Sequence, residues 1–207
     1  MKHFLYVPFT GLGNFNGYRG DAWLKNRIRI FKQFVIPSLL AQTNKNFTLW
    51  ISWRYEEKNN PQVKELKDWL DTTSLKSVFT YSGICFYDDK YPDEEARQRL
   101  INSLHGSMGE LINEIGEADY VAMTIQPSDD CYHSQMVEEV QTLLKDKNTN
   151  ACGYSKGYIM NYQTKEVKKY NPLTNPPFVT IKFDRETFIN PLKHLLYTST
   201  KSDIMEI

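Results

Sequence analysis

Two adjacent carboxylates, Asp129 and Asp130, are the residues of this sequence best suited to chemistry. They follow an apolar and β-branched run at residues 120–125, which predicts a buried strand. Pro127 should end that strand, because proline cannot donate to a sheet ladder. Ligands of open α/β sheets bind at the carboxyl ends of strands, and a hard divalent cation takes oxygen ligands that include phosphates. The acids therefore predict a cation-assisted phosphate site, and the alternative is that Ser128 and Asp129 cap the next helix.

Periodic apolar residues predict the elements that would position these acids. Runs of apolar and β-branched residues predict strands at residues 3–9, 47–53, 78–81 and 120–125. Helical spacing predicts helices near Ala22, Pro61, Asp93 and Met136. Pro37 is expected to end or kink the first helix. Strands that alternate with helices favour an α/β fold, with a mostly parallel, Rossmann-like sheet flanked by helices.

The C-terminal third is predicted to add a β-hairpin region. Residues 158–162 and 167–170 flank a polar turn, and a further strand is predicted at residues 179–183. An isolated hairpin is marginal in water. Tyr158, Met160 and Tyr162 alternate along the first strand, so we expect them to form an apolar face that packs on the sheet.

The composition suggests a single domain over residues 1–207, with a ligand-binding α/β part at 1–150 and a hairpin part at 151–207. The 25 basic and 25 acidic residues balance, which argues against nucleic acid as a partner. Three cysteines without a CxxC pair argue against a zinc ribbon. The N-terminus enters the first predicted strand directly, so we expect a soluble, cytoplasmic protein without a transmembrane segment.

A glycine-rich loop after the first strand approximates a dinucleotide-binding fingerprint. It contains Gly11, Gly13 and Gly17, but the helical apolar stripe starts only near Leu24. The fingerprint needs a helix N-terminus that faces the pyrophosphate. No Walker lysine follows either, so we interpret the segment as a loop, with a dinucleotide site as the alternative.

Four segments share their order and spacing with one known family. They are Tyr6-Val7-Pro8-Phe9-Thr10, the helix from Trp23 that leads into Pro-Ser-Leu-Leu-Ala-Gln-Thr-Asn-Lys-Asn-Phe at 37–47, Thr124 with Ser128-Asp129-Asp130, and Gly157-Tyr158. Together they resemble the rhamnosyltransferases, a bacterial group within the GT-A class of nucleotide-sugar glycosyltransferases. The resemblance covers most of the chain, and residues 37–47 are its most specific part.

The resemblance implies a GT-A sheet that binds a nucleotide diphosphate sugar, with a divalent cation (Mn²⁺ or Mg²⁺) on the diphosphate. It implies transfer of a sugar such as rhamnose to a glycan or other hydroxyl acceptor, with inversion. Asp129 and Asp130 would correspond to the metal-binding acidic element. Thr10, Arg27 and Ser128 would join Asp129 in binding the donor.

Arg27 and His194 have open alternatives. Arg27 lies beside the apolar stripe of its helix, near the first loop, where it could reach a phosphate. An ion pair with Asp21 or a surface position is the alternative for Arg27. His194 is the candidate third cation ligand, and a packed or exposed histidine is the alternative.

The catalytic base and the acceptor side are expected in the C-terminal region. Asp184 and Glu186 follow the last predicted strand and are the candidate bases, and no spacing rule chooses between them. Tyr158 and Tyr162 are the candidate acceptor-side residues, because aromatic rings beside polar groups suit sugars. A purely structural flap is the alternative for the hairpin.

The acidic corner departs from the family pattern Arg-x-Asp-Ser-Asp-Asp. Ile125 stands in place of the Arg and Pro127 in place of the first Asp. This loss favours a second hypothesis, a catalytically degenerate module that binds a nucleotide or glycan without turnover. A third hypothesis, a cation-dependent phosphohydrolase that uses Asp129 and Asp130, lacks a further Asp/His cluster for a second metal.

Overall fold

The computed structural model describes residues 1–10, 20–83, 92–171, 178–193 and 205–206 of the chain. In chain order the elements are β1 (Lys2–Pro8), α1 (Asp21–Ile30), a π-helical stretch (Phe31–Val35), α2 (Ile36–Leu40), β2 (Thr48–Arg54), a 3₁₀ helix (Tyr55–Asn59), α3 (Pro61–Leu70), β3 (Ser77–Gly83), α4 (Asp93–Ile115), β4 (Tyr120–Ile125), α5 (Met136–Leu143), β5 (Ala151–Gly153), β6 (Gly157–Met160), β7 (Val167–Tyr170), β8 (Val179–Asp184), α6 (Arg185–Ile189) and β9 (Met205–Glu206).

One sheet of seven strands, in the order β3-β2-β1-β4-β8-β5-β9, organises the described residues. The strands β1 to β4 are mutually parallel, and β8 is antiparallel to both of its neighbours, β4 and β5. The α/β class and the mostly parallel sheet predicted from the sequence are therefore confirmed. In chain order, β2 and β3 are added on one side of β1, and β4 is then added on its other side. The strand order therefore reverses between β1 and β4.

Helices cover both faces of this sheet. Alternate residues of β1 point to opposite faces, so Leu5 and Val7 join one buried cluster while Phe4 and Tyr6 join the other. The first cluster includes the buried residues of α1, α2, α3 and α5, and the second includes those of α4 and α6. The continuous apolar character of the strands follows from burial on both faces.

Residues at the helix ends supply the start of α3 and the stop of α4. The Asn60 side chain accepts a hydrogen bond from the Gln62 backbone N–H at 2.9 Å, and Pro61 opens α3. Gly116 ends α4 with a φ of 58°, a backbone conformation that residues with a Cβ rarely adopt.

Pro37 does not end the first helix, contrary to one of the two outcomes expected. The backbone stays helical from α1 through residues 31–35 to α2, and the Ile36 N–H bonds to the Phe31 carbonyl five residues back. A proline lacks an N–H and its ring crowds the preceding turn. The wider π-helical turn directly before Pro37 accommodates both consequences.

The C-terminal hairpin forms as predicted but packs differently. The strands β6 and β7 pair antiparallel and form a two-stranded sheet of their own. Tyr158, Met160 and Tyr162 are 71%, 46% and 45% exposed. The prediction that they form a face packed on the central sheet is therefore wrong: β8 takes the position beside β4, and the hairpin remains outside the layered core.

Candidate active site

Asp129 and Asp130 follow β4 at the point where the strand order of the sheet reverses. β4 is an interior strand between β1 and β8, and Ile125 pairs with Tyr6 of β1. Thr10 lies just beyond β1, and Asp129 lies just beyond β4, so both follow the carboxyl ends of neighbouring parallel strands. Such a reversal leaves a crevice that binds ligands in open α/β sheets. The predicted placement of Asp129 is confirmed, while residues 11–19 of the glycine loop lie outside the described residues.

The acids do not cap a helix. Ser128 and Asp129 lie in a turn, and α5 begins only at Met136, where Gln135 at the cap position makes no side-chain capping bond. The alternative that Ser128 and Asp129 are helix caps is therefore wrong.

Gln126 holds the backbone of the acidic turn. Its side chain is fully buried, and its Nε2 donates to the carbonyls of Pro127 and Asp130, each at 2.8 Å. Its backbone N–H donates to the Tyr6 carbonyl of β1, also at 2.8 Å. The five residues from Gln126 to Asp130 thus form a braced loop directly tied to the neighbouring strand.

Gln42 holds the segment after the turn, and the sequence analysis did not single it out. Its Nε2 donates to the carbonyls of Ser38 and His133 at 3.1 and 2.8 Å, and its Oε1 accepts from the Val137 N–H at 3.1 Å. The residue is 2% exposed. Its position directly after Leu39-Leu40-Ala41 was the available signal, because a polar side chain that is buried beside apolar residues needs hydrogen-bond partners.

Arg27 contacts the first acid of the pair. Its guanidinium Nη1 forms an ion pair with Asp129 Oδ2, and it also lies 5.6 Å from the ring of Trp23. The Arg27 side chain is 18% exposed and that of Asp129 is 46% exposed, so the pair lies at the edge of the solvent. The structure therefore brings together two of the predicted donor-binding residues, Arg27 and Asp129.

The Asp130 carboxyl group lies in an environment that disfavours its ionised form. Burial raises the pKa of the Asp130 carboxyl, the negative charge of Asp129 raises it further, and the Arg27 guanidinium opposes both effects. Two carboxylates and one arginine leave this edge with a surplus negative charge when all three are ionised. The binding of a cation would relieve that surplus.

The acids suit a hard divalent cation in ligand type, but they do not complete a site by themselves. Across the described residues no group of three His, Cys, Asp or Glu side chains could hold a metal ion. His194, the predicted third ligand, lies outside the described residues. Asp129 and Asp130 supply carboxylate oxygens, and a Mg²⁺ or Mn²⁺ ion commonly takes its other ligands from water and substrate phosphates.

Thr10 takes part in a second network at the ends of β1 and β2. Its hydroxyl donates to the carboxylate of Glu57, which is 3% exposed, and the Arg54 backbone N–H donates to both Thr10 Oγ1 and Glu57 Oε2 at 3.3 Å. The Arg54 guanidinium lies 3.6 Å from the other Glu57 oxygen. This network links the ends of β1 and β2, and the donor-binding roles of Thr10 and Ser128 remain predictions.

Asp184 and Glu186 lie at the wrong end of the sheet to serve as the predicted bases. Because β8 runs antiparallel to β4, its last residue, Asp184, pairs with Tyr120, the first residue of β4. Asp184 accepts from the Thr187 N–H at 2.7 Å and hydroxyl at 2.8 Å, and these bonds lower the pKa of its carboxyl. Glu186 forms an ion pair with Lys193. The sequence placed both residues after the last strand, and the antiparallel direction of that strand puts them at the end of the sheet away from Asp129.

Of the two candidate acceptor-side tyrosines, Tyr162 contacts residues of the helical layer. The Tyr162 ring packs edge-on against Phe34 at 5.5 Å, and its hydroxyl accepts from Arg29 Nη1 at 3.3 Å. Neither tyrosine is seen in contact with Thr10, Asp129 or Asp130 among the described residues. The acceptor-side role of Tyr158 and Tyr162 stays a prediction.

One family matches part of the chain. Residues 18–73 match the family described as "Putative rhamnosyl transferase". The matched segment contains Arg27 and Gln42, which contact the acidic turn and the segment that follows it. The match confirms the predicted resemblance over 56 of the 207 residues and supports the glycosyltransferase class. A comparison with curated proteins finds no match.

Solved structures of nucleotide-handling enzymes are similar to the chain at low sequence identity. CMP:2-keto-3-deoxy-manno-octonic acid synthetase, complexed with CTP, is 11% identical with a TM-score of 0.41, and the match covers 100% of this chain and 89% of that one. TarS 1-349 of S. aureus is 13% identical with a TM-score of 0.44, and the match covers 96% of this chain and 49% of that one. A "putative nucleotide-diphospho-sugar transferase" of Desulfovibrio desulfuricans G20 is 13% identical with a TM-score of 0.42, over 100% and 79% of the two chains.

None of the described helices combines the length and the apolar character needed to cross a bilayer.

Proposed function

We propose that this protein is a glycosyltransferase that moves a sugar from a nucleotide diphosphate donor to a hydroxyl acceptor, with the help of a divalent cation. The observation that carries the proposal is the ion pair between Arg27 and Asp129 at the point of strand-order reversal, with Asp130 beside it. An arginine and two carboxylates at one sheet edge suit a diphosphate with its cation. The family match supports this class and suggests rhamnose as the sugar. We infer a glycan or another hydroxyl compound as the acceptor.

Each group at this edge has a definite task in the proposed reaction. Arg27 supplies a planar, permanently charged guanidinium that can contact two phosphate oxygens at once. Asp129 and Asp130 would hold the cation, which offsets the charge that builds up on the departing nucleoside diphosphate. Gln126 and Gln42 keep the acidic turn and the segment after it in place before the donor arrives, so little free energy is spent on ordering them.

Transfer with inversion also needs a base that accepts the proton of the acceptor hydroxyl. In the proposed arrangement the base lies at the same edge as the donor, whereas Asp184 pairs with Tyr120 at the opposite end of β4 and Glu186 follows it. Asp184 is a poor base for a second reason, since its lowered pKa weakens its hold on a proton.

A binding module without turnover is the second candidate. It is favoured by Ile125 and Pro127, which stand where related sequences carry an arginine and an acid, and by the partial neutralisation of Asp129 by Arg27. Both candidates require nucleotide binding at the same turn. Hydrolysis of a nucleotide sugar separates them, because only an enzyme turns over the donor.

Calorimetry with UDP, GDP and dTDP, each with and without Mn²⁺, tests the site. We expect one of these nucleotides to bind in a cation-dependent manner. Asp129→Asn should weaken that binding by about 10- to 100-fold, since a charge-assisted contact contributes roughly 1.5–3 kcal/mol. Its thermal stability should change little, because an exposed loop carboxylate contributes little to folding.

Asp71→Asn is the matched control. Asp71 is also an exposed carboxylate in an ion pair, with Lys67 at 2.9 Å, but it lies after α3. It should leave nucleotide binding unchanged. Cation-dependent binding that survives in Asp129→Asn would show that the acidic turn is not the donor site, and the proposal would be abandoned.

A further inference from the structure

The hairpin of β6 and β7 concentrates exposed apolar side chains. Within the described residues, twelve large apolar side chains are exposed, and half of them lie between residues 158 and 170. The six are Tyr158, Ile159, Met160, Tyr162, Val167 and Tyr170. A cluster of this kind on a water-soluble surface marks a contact site rather than ordinary surface variation.

Both faces of the hairpin mix apolar and basic side chains. Tyr158 pairs with Lys169 and Met160 pairs with Val167, and side chains of directly paired residues share a face. Ile159 pairs with Lys168 on the opposite face. All of these side chains are exposed, so neither face is closed off by the described parts of the chain.

The hairpin is also basic in a chain that is neutral as a whole. Residues 156–170 contain four lysines, Lys156, Lys165, Lys168 and Lys169, against the single acid Glu166, while the chain has 25 basic and 25 acidic residues. This local excess of positive charge selects an anionic partner. Salt should weaken the attraction, because the lysines are exposed.

One end of the hairpin is anchored to the helical layer. Tyr162 packs on Phe34 and accepts a hydrogen bond from Arg29, and the Lys165 ammonium lies 4.2 Å from the centre of the Tyr162 ring. The anchor restrains the turn, while the two strands keep their side chains exposed. The hairpin is therefore already folded before it binds a partner.

A lipid surface fits this mixture better than a protein does. Protein interfaces are depleted of lysine, whereas lysine can extend its ammonium to lipid phosphates while its stem lies along apolar groups. Tyrosine rings favour the headgroup level of bilayers. No other described strand pairs with the edges of this two-stranded sheet. These edges limit the depth of insertion, because backbone groups without a strand partner need water or polar headgroups.

We propose that the β6–β7 hairpin docks the protein on the surface of a bilayer that contains anionic lipids. The apolar side chains Tyr158, Ile159 and Met160 would enter the headgroup region, and Lys168 and Lys169 would contact lipid phosphates. The inference does not depend on the proposed glycosyltransferase activity, because it rests on the exposure and charge of the hairpin alone.

Sedimentation with lipid vesicles tests the proposal on the full chain. We expect binding to vesicles of phosphatidylcholine mixed with phosphatidylglycerol, and much weaker binding to phosphatidylcholine alone. Lys168→Glu with Lys169→Glu should weaken the binding to anionic vesicles by at least roughly tenfold, since each lysine near the surface contributes appreciably. Ile159→Ser with Met160→Ser should weaken it independently of salt.

Lys145→Glu with Lys147→Glu is the control, because both lysines are exposed in the loop after α5 and the net charge changes by the same amount. The control should bind anionic vesicles almost as well as the parent protein. Far-ultraviolet circular dichroism and thermal unfolding should be unchanged in all three variants, since each alters only exposed side chains.

Several results would overturn the proposal. They are equal binding to neutral and anionic vesicles, no binding to either, and an equal loss in the control and in the hairpin variants. Concentration-dependent self-association that the hairpin substitutions abolish would instead identify a second copy of the chain as the partner.

Discussion

His3 is a buried imidazole near the start of β1. It is 2% exposed, and its Nε2 lies 2.7 Å from Thr124 Oγ1, while its Nδ1 lies 3.1 Å from the Gln141 side-chain nitrogen. The side-chain nitrogen of Gln141 can only donate, so Nδ1 accepts, and Nε2 carries the proton that Thr124 accepts. Burial lowers the pKa of His3 from 6.5 to about 4, and the residue is therefore neutral in the folded protein near pH 7.

This lowered pKa predicts a pH-dependent loss of stability. The unfolded chain takes up a proton at His3 below about pH 6.5, whereas the folded protein does so only near pH 4. The free energy of unfolding should therefore fall as the pH drops through that window, by up to about 3 kcal/mol from this residue. His3→Gln should flatten the dependence when urea unfolding is measured from pH 7 to pH 4.

His105→Gln is the control for that measurement. His105 is exposed on α4, so the same substitution there removes an imidazole that is not buried in the folded protein. It should retain the pH dependence of the parent protein. If His3→Gln and His105→Gln show the same slope, the buried imidazole does not set the acid sensitivity.

At the scale of elements, α4 approaches β3 through a glycine. A Cβ at Gly106 would lie 2.5 Å from Ser82 Oγ and 2.7 Å from Ser82 Cβ, both closer than real Cβ contacts. The neighbouring Ser103 hydroxyl donates to the Ser82 carbonyl, so the same strand residue is bonded from the helix as well. The glycine therefore permits the close contact between this helix and strand.

Two alanine substitutions in α4 should have opposite effects on stability. Gly106→Ala should lower the free energy of unfolding by about 1–3 kcal/mol, because the added methyl group overpacks the contact with Ser82. Gly109→Ala should raise it by up to about 1 kcal/mol, since nothing lies within 4 Å and alanine favours a helix. Chemical denaturation of both variants checks this. Equal stability of the two variants would contradict the packing explanation.

At the scale of the whole molecule, Gln42 joins the segment of the family match to the segment that follows the acidic turn. It lies 91 residues before His133 and 95 residues before Val137, and it bonds to the backbone of both. Thr43 adds a backbone bond to the Ser134 carbonyl at 2.7 Å. Helix α2 and the chain after Asp130 therefore form one unit, which explains how a distant segment can influence the candidate site.

Gln42→Leu should destabilise the protein and also weaken nucleotide binding. It leaves the His133 carbonyl and the Val137 N–H buried without this partner, at a cost of roughly 2–4 kcal/mol for the pair. Gln98→Leu is the control, because Gln98 is exposed on α4 and its amide bonds only to Asn102 among the contacts seen. It should change stability by less than about 0.5 kcal/mol. Denaturation and calorimetry measure the two effects, and unchanged binding in a folded Gln42→Leu variant would separate Gln42 from the site.

Local patterns in the sequence determined the features whose cause lies within a few residues. The cap at Asn60, the stop at Gly116 and the run that forms β4 depend on neighbouring backbone groups and on side-chain periodicity. The order of strands and helices also implied a parallel sheet, with Asp129 after the carboxyl end of a buried strand. These predictions succeeded because short-range physics and the limited topologies of α/β sheets leave few other outcomes.

Only the tertiary structure decided the direction of the last strand and the partners of the charged residues. No local signal distinguishes a parallel from an antiparallel β8, yet this direction places Asp184 and Glu186 away from the acidic turn. The partner of Arg27 was equally open, because an arginine side chain reaches several carboxylates and long-range packing selects Asp129. The hairpin shows the same limit: its turn follows from the sequence, but its exposure depends on β8 occupying the place beside β4.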